Sequence, residues 1–597
     1  MIVVGSKFYG HDSAVYCIDT EHKTLFAVST ERVTRKKHDD APVSVSMELL
    51  PEEEIGIIAH SFSAFDDSGP CGSVQVSTAI DVVLRKIDRD MACSASAPEE
   101  IAKHPLTAFA AELQKSTEEA KAAGTPIAYI NQTAVEAVIR RLLGPKRVTP
   151  NTRIKFFDHH LCHAMSAYYS SPFFGRPCLI VTLDGQGDRF FSKAYIFRGD
   201  EHKEIGASPA ILPHGGYWGD ATSIGNIYAF FTQAAGFKPW SDEGKLEALA
   251  AFGTPIPHVL QEMRDACVIA DNAIYISTSK IKPFHDPEFL AGLIEEHSRS
   301  DCAATVQAFL EDIVVDYLNS LSATDDVDCL CLAGGVAANI VMNLKIYERT
   351  RFKNIHITPY MGDEGTACGA ALLAAKLYKQ DVSWVPNHVM PYFGPSYSRE
   401  EVKATLLSRA REVAFTDLGE AWPAVAAREV TNGRIVALFQ GKMEFGPRAL
   451  GNRSIFANPA DPTIRERINV SIKRRPPWQP FCPSILESER ERLFVASYPH
   501  KYMATAFRMK PEYAAALPSA VHIDGTARPQ FVSPEDNPPY HRLLEEMRKL
   551  TGFGVVINTS FNLHGRAIVM TPDHAIDDFL DCNLDSLFIE GFRVTRV

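Results

Sequence analysis

Cys178-Leu179-Ile180-Val181-Thr182-Leu183-Asp184-Gly185 is the stretch whose reading decides the fold. An apolar run of this length, closed by a turn signal, reads as a fully buried strand. Residues 190–197 read as the strand returning from it. An Asp at a strand end beside Gly is placed to face a ligand or a metal, though Asp-Gly also makes plain hairpin turns. A related pattern opens the chain. Strands at 2–4, 14–18 and 24–29 are joined by Gly10-His11-Asp12-Ser13 and by residues 19–23. His11, Asp12 and Ser13 could face a ligand; Asp and Ser are equally ordinary turn residues. Two related β-meanders separated by helices suit a duplicated, nucleotide-binding α/β core.

Just upstream lies Asp158-His159-His160-Leu161-Cys162-His163-Ala164. Residues 160–169 contain no Gly or Pro, so a helix is expected. His159 and His163 are then four residues apart on one face. Two imidazoles on adjacent turns can share a metal; the alternative is a helix start whose histidines only make hydrogen bonds. Downstream, a strand at 328–333 runs into Gly334-Gly335-Val336-Ala337-Ala338-Asn339 and a helix to 347. Strand, Gly-Gly, helix suits a phosphate or nucleotide, because the glycines admit it and the helix N-terminus offers free N–H groups. The pattern is neither a Walker A loop nor GxGxxG. A strand at 355–358 leads to Gly362-Asp363-Glu364-Gly365 and a helix to about 377, making Asp363 a candidate fourth metal ligand. Glu243-Gly244-Lys245 is either a surface pair or a place where backbone nears a ligand. Residues 40–150 read as mostly helical, at 74–88 and 108–123, with strands near 55–59 and 126–129, and are expected to be scaffold or lid.

Residues 382–397, rich in Pro and Gly, mark a domain boundary. Helices at 399–411 and 420–431 and a strand at 434–439 follow. Residues 440–454 then read Gln-Gly-Lys-Met-Glu-Phe-Gly-Pro-Arg-Ala-Leu-Gly-Asn-Arg-Ser. Lys442, Arg448 and Arg453 in this glycine-punctuated segment, with Lys473-Arg474-Arg475 beyond, form a candidate anion site. The basic run at 31–38 is a solvated surface or one wall of an anionic-ligand cleft. A strand at 553–557 leads to Asn558-Thr559-Ser560-Phe561-Asn562, a polar turn able to orient a nucleotide or an amide. A helix at 573–580 and a strand at 586–590 close the chain.

With 597 residues, 46% of them hydrophobic, the chain can form roughly two to four domains. A net charge of −12 argues against a broad nucleic-acid surface and favours a neutral or cationic substrate. The 12 cysteines show no CxxC pair. Cys17, Cys178, Cys329 and Cys331 sit in apolar runs, as buried thiols of a reducing compartment do. There is no leader-like start and no apolar run of about 18 residues. A soluble cytoplasmic protein with no membrane partner is expected. A homodimer is compatible with the sequence but not read from it.

Taken in order, Gly10-His11-Asp12-Ser13-Ala14, Thr30-Glu31-Arg32 with Arg35-Lys36-Lys37-His38, the His cluster, Asp184-Gly185, Glu243-Gly244-Lys245, Gly334-Gly335 with Asn339, Gly362-Asp363, residues 440–454 and Asn558 to Asn562 resemble the NodU/CmcH-type O-carbamoyltransferase family over nearly the whole chain. The resemblance implies a duplicated actin-like (ASKHA) domain at 1–385 and a smaller YrdC-like α/β domain at 386–597. It implies that carbamoyl phosphate and ATP form carbamoyl-adenylate in the second domain, and that the first moves the carbamoyl group to a hydroxyl of a small-molecule natural product. Carried over by motif, His159, His163, Asp184 and Asp363 would hold one divalent metal, Fe(II) foremost, with Mn or Zn also suited to such ligands. Lys442 and Arg448 would act in catalysis. Gly334, Gly335, Asn339, Arg453, Lys473, Asn558 and Ser560 would bind the nucleotide and phosphates. His11 is the candidate base for the hydroxyl proton. The sequence departs from the family pattern at Leu563-His564-Gly565-Arg566-Ala567, where members commonly show Gly-Glu-Pro, and more mildly at Ala251-Phe252-Gly253 and Cys329-Leu330-Cys331. Rival readings are carbamoylation of tRNA or of a hydrogenase-maturation cysteine, a sugar-kinase-like ASKHA kinase, and a non-catalytic nucleotide-binding regulator.

Overall fold

Short apolar runs at the chain start produce three short, mostly buried strands, β1 (Ile2–Lys7), β2 (Ala14–Asp19) and β3 (Thr24–Ser29). A computed structural model of the protein describes residues 1–7, 12–38, 44–50, 53–61, 147–210, 222–321, 327–582 and 584–597. His11, most of the first turn, the helices expected at 74–88 and 108–123 and the strand expected at 126–129 lie outside these residues. β4 (Ile55–His60) and β5 (Arg153–Phe156) complete a five-stranded sheet of order β3-β2-β1-β4-β5. The meander is antiparallel, and β4 and β5 join it in parallel.

The second sheet repeats that plan. Its strands are β6 (Cys178–Gly187), β7 (Phe190–Arg198), β8 (Glu201–Pro209), β9 (Cys329–Ala333) and β10 (Asn354–Ile357), in the order β8-β7-β6-β9-β10. Again three strands meander antiparallel and two follow in parallel. The sheet is therefore duplicated, as the mid-chain strand and the opening meander predict.

Two helices fill the space between the sheets: α1 (His159–Tyr169) and, later in the chain, α6 (Glu364–Leu377). Their buried faces join Val3, Tyr16 and Ile57 of the first sheet to Ile180, Tyr195 and Cys331 of the second in one apolar cluster. α6 is almost all small residues, Gly-Thr-Ala-Cys-Gly-Ala-Ala over 365–371, and that lets it lie against α1. A Cβ on Gly369 would stand 1.8 Å from the Cys162 carbonyl oxygen, so only glycine permits this approach. Around the second sheet pack α2 (Ile224–Ala234), α3 (Glu243–Ala250), α4 (Arg299–Leu321) and α5 (Ile340–Arg349).

The rest of the chain builds an eight-stranded mixed sheet of order β11-β18-β17-β12-β13-β16-β14-β15. Its strands are β11 (Val413–Asp417), β12 (Val436–Phe439), β13 (Arg453–Ala457), β14 (Cys482–Leu486), β15 (Gln530–Val532), β16 (Val555–Ser560), β17 (Ser586–Ile589) and β18 (Phe592–Arg596). α7 (Trp422–Thr431), α8 (Pro538–Thr551) and α9 (Pro572–Asp581) cover it. The protein is thus mixed α/β throughout. The expected polar turn at 558–562 is corrected here: β16 runs on through Asn558, Thr559 and Ser560, because each pairs with β13. Ladder bonds there outweigh the turn preference of Asn and Ser.

The two halves share a core. One apolar cluster runs from Leu330 and Ile357 of the second sheet to Phe507, Phe531 and Val555 of the last part of the chain. Among the described residues no helix is long and apolar enough to cross a membrane.

Candidate functional site

Three chain ends meet between the first two sheets: the N-terminus of α1, the end of β6 and the N-terminus of α6. Asp158 caps α1, its Oδ1 accepting from the Leu161 N–H at 2.7 Å, and its other oxygen pairs with Lys193. That cap sets the rotation of α1. His159 and His163 then face Asp184, while His160 spends both ring nitrogens on the Thr182 hydroxyl of β6 and the Phe190 carbonyl. His160 is thus a satisfied core histidine.

The Nε2 atoms of His159 and His163 lie 3.0 and 3.2 Å from Asp184 Oδ2, and each lies 3.5 Å from Asp363 Oδ1. The four donor atoms all fall within 4.8 Å of one another. Donors held about 2.1 Å from a common metal stand roughly 3.0–3.4 Å apart at neighbouring corners and about 4.2 Å at opposite ones. The set of two imidazoles and two carboxylates therefore fits a divalent ion. The electrostatics agree. Burial opposes a charged His163, but hydrogen bonds to Asp184 and Asp363 outweigh it and lift its pKa to about 9. Burial and the Asp363 charge work against ionised Asp184, yet hydrogen bonds from His159 and His163 hold it well below the usual carboxylate range. Two carboxylates this close need compensating positive charge; Lys7 supplies part of it to Asp363, and a protonated imidazole or a metal would supply the rest.

Residues around the cluster complete it. Lys7 Nζ bonds Asp363 Oδ2. Asp188 Oδ2 accepts from the His159 backbone N–H at 2.7 Å. Burial, with the neighbouring Asp12 charge, raises the Glu364 carboxyl to a pKa of about 8, so it stays neutral at pH 7. None of the three is singled out by sequence, because each depends on partners far along the chain.

Gly334 and Gly335 border this cluster, and Asn339 follows them at the start of α5. Gly334 has φ +94°, and a Cβ there would meet the Leu183 carbonyl oxygen at 2.1 Å. The Gly335 N–H donates to Asp184 Oδ1 at 3.2 Å. Residues 335–338 form a 3-10 turn, and Asn339 caps α5 through the Met342 N–H while exchanging two hydrogen bonds with Gln307. Glu243 begins α3, and Lys245 pairs with Asp242 at 2.8 Å.

In the second half the loop at 440–454 is organised by Glu444. Its Oε1 accepts three backbone N–H groups, from Leu450, Asn452 and Arg453. Lys442 stands exposed and Arg448 half-buried, so both cations remain available to an anion. Arg453, expected to bind phosphate, lies in a different setting. Its side chain is fully buried, donates to the carbonyls of Gln440, Asn452, Pro395 and Gly441, and stacks 3.6 Å from the Phe439 ring centroid. Lys473 is buried against the end of β16, bonded to Ser560 and Asn562, and desolvation together with Arg475 pushes its pKa down to about 7. Asn558 donates to the Ala449 carbonyl and to Ser484, which ties β16 to the loop that carries Arg448.

The basic run at 31–38 is neither open surface nor a ligand wall where its arginines lie. Arg32 donates to the Gly446 carbonyl, and Arg35 pairs with Asp578 at 2.6 Å. Asp578 also holds Arg566 at 2.6 Å, and Lys36 bridges to Arg566 through the backbone. The segment is a clamp between the two halves, and the atypical Arg566 belongs to it.

Two family models match the chain: "Carbamoyltransferase N-terminus" over residues 2–372 and "Carbamoyltransferase C-terminus" over residues 427–596. An uncharacterized protein of Methanocaldococcus jannaschii is 42% identical over 619 residues, covering 100% of this chain and 99% of that protein. Nodulation protein NolNO of Sinorhizobium fredii is 31% identical over 457 residues, covering 74% of this chain and 64% of that protein. Among solved structures, full-length HypF in the phosphate- and nucleotide-bound form is similar at 13% identity and a TM-score of 0.30, covering 43% of this chain and 51% of that one.

Proposed function

This chain belongs to the carbamoyltransferase family, and on that footing we propose that it is an ATP-dependent O-carbamoyltransferase acting on a hydroxyl of a small-molecule natural product. In this reading the segment after residue 385 has the YrdC-like role and converts carbamoyl phosphate and ATP to carbamoyl-adenylate with release of pyrophosphate. Carbamoyl phosphate is a poor acyl donor to a neutral alcohol, and adenylation supplies a better leaving group. Lys442 and Arg448 offset the charge of the phosphates and of the departing pyrophosphate. Lys473, with Asn558 and Ser560 along β16, borders the nucleotide.

The first segment carries out transfer. The acceptor hydroxyl oxygen attacks the carbamoyl carbon, the bond to the adenylate phosphate breaks, and AMP leaves. His11 takes the hydroxyl proton, since an imidazole titrates near neutrality. His159, His163, Asp184 and Asp363 would hold a divalent ion, Fe(II), Mn or Zn being compatible with these donors. Such an ion would supply Lewis-acid character at this site. Lys7 steadies Asp363, and Asp188 fixes the start of α1.

The observation that carries this reading is the meeting of two imidazoles and two carboxylates, from three separate elements, inside the stretch matched by the N-terminal family model. The acidic chain suggests a cationic amine or guanidinium on the acceptor. The test is pyrophosphate release from ATP with and without carbamoyl phosphate, Fe(II) present and acceptor absent. Release that requires carbamoyl phosphate is expected. ATP binding with no such release would favour a kinase or a nucleotide-binding regulator. A normal transfer rate in His11→Ala, with carbamoyl-adenylate supplied, would remove His11 from the scheme.

A further inference from the structure

Gln186 lies between two residues that touch the metal-competent cluster. The β6–β7 ladder pairs Leu183 with Ser192 and then Gly187 with Phe190. That is four residue steps on β6 against two on β7, so residues 184–186 bulge from the strand. Bulges re-aim side chains and recur beside active sites. Asp184, at one end of the bulge, contributes a carboxylate to the cluster. Gly187, at the other, leaves room for the His159 ring, since a Cβ there would stand 2.0 Å from His159 Cδ2. The backbone of Gln186 is therefore fixed beside the cluster.

Its carboxamide is shut off from solvent, and among the described residues neither Nε2 nor Oε1 finds a hydrogen-bond partner. A buried amide that has given up water without replacement lowers stability, and such groups call for an explanation. The same protein shows how a carboxamide is best satisfied. Gln307 and Asn339 exchange two hydrogen bonds, Nε2 to Oδ1 at 3.1 Å and Nδ2 to Oε1 at 2.9 Å. A carbamoyl group, with one C=O and one NH2 on a single carbon, offers the identical pair of functions.

We propose that Gln186 is the specificity residue that reads the carbamoyl group at the transfer site. Its Nε2–H donates to the carbamoyl oxygen, and its Oε1 accepts from the carbamoyl N–H. This rests on the carbamoyl-transfer reading above. An acetyl group could satisfy only one half of the amide, because it would leave Oε1 facing a methyl. Sites built to hydrogen-bond a donor discriminate strongly against analogues lacking it.

The experiment uses the full chain loaded with Co(II), whose visible spectrum reports only on its own ligands and near neighbours. Two hydrolysis-resistant adenylate analogues, one carrying a carbamoyl and one an acetyl end, are titrated into wild type, Gln186→Met and Gln186→Ala. In wild type the carbamoyl analogue is expected to perturb the spectrum at about ten-fold lower concentration or less than the acetyl analogue. Both variants are expected to lose that preference while melting at the wild-type temperature or above it, because each removes an unsatisfied buried amide. An unchanged preference in the variants, or none in wild type, overturns the role of Gln186 and leaves the transfer reading standing. A wild-type spectrum that responds to neither analogue removes both.

Discussion

At the scale of single residues, burial separates the cations that hold the protein together from those left to act. Asp578 is the counter-ion of both Arg35 and Arg566, and its side chain is 1% exposed. Removing one member of a buried pair leaves uncompensated charge and costs about 3–5 kcal/mol. Urea unfolding of Asp578→Ala should show a loss of that order, whereas Glu412→Ala, which breaks an exposed pair with Arg409, should cost less than about 1 kcal/mol. Arg453 belongs with the first group and Lys442 with the second, although the sequence presents them in one motif. In the metal-competent cluster, His163→Ala removes a donor outright. Metal affinity measured by competition with a chelator should fall by at least the ~10–100-fold typical of losing an outer partner. Retention of wild-type affinity would show that His163 is not a ligand.

At the scale of elements, α1 and α6 set the geometry because each brings its N-terminus, and with it part of the cluster, to one point between the sheets. Their separation is fixed by Gly369. Gly369→Ala should cost roughly 1–3 kcal/mol through overpacking and should also weaken metal binding, since it pushes the helix carrying His159 and His163 away from Asp363. Gly292, on the helix Pro287–Glu296 with open space at its Cβ position, is the control. Gly292→Ala should stabilise by about 0.5–1 kcal/mol with metal affinity unchanged. A parallel pair of melting curves and metal titrations checks both. Elements with clear periodicity, such as β6, β7 and α6, were legible in sequence to within a few residues. The end of β16 was not, because its Asn and Ser residues favour turns locally and only pairing with β13 keeps them extended.

At the scale of the whole molecule, the halves meet across a partly polar interface that includes two neutral histidines. His356, on β10, accepts or donates to Ser170 Oγ at 3.0 Å and lies edge-on to Tyr502, which also contacts His500. Burial pushes both imidazoles down to a pKa of about 3, with the neighbouring His500 adding to the effect at His356. The unfolded chain then takes up protons near pH 6.5 while the folded chain does not, so stability rises with pH between these values and is lost on acidification. Going from pH 7.5 to 5.5 should remove about 2–3 kcal/mol through this pair. Denaturant midpoints at the two pH values, compared with those of His356→Asn, measure it: the variant should lose about half of that dependence. A pH response unaltered by the substitution would place the acid sensitivity elsewhere.

The sequence by itself determined the mixed α/β class, the duplicated meander, the family resemblance and the four candidate metal ligands. Those features rest on short-range order: apolar periodicity, glycine-bounded strand ends, and His-xxx-His spacing on one helix. Which cation reaches an anion, which glycine relieves a clash and which carboxamide is left unpaired were decided only by tertiary structure. Arg35 and Asp578 are 543 residues apart in the chain, and Gly335 meets Asp184 from 151 residues away. Such pairings depend on how sheets and helices stack, and the free energy that selects them comes from burying apolar faces rather than from the polar residues that the stacking brings together.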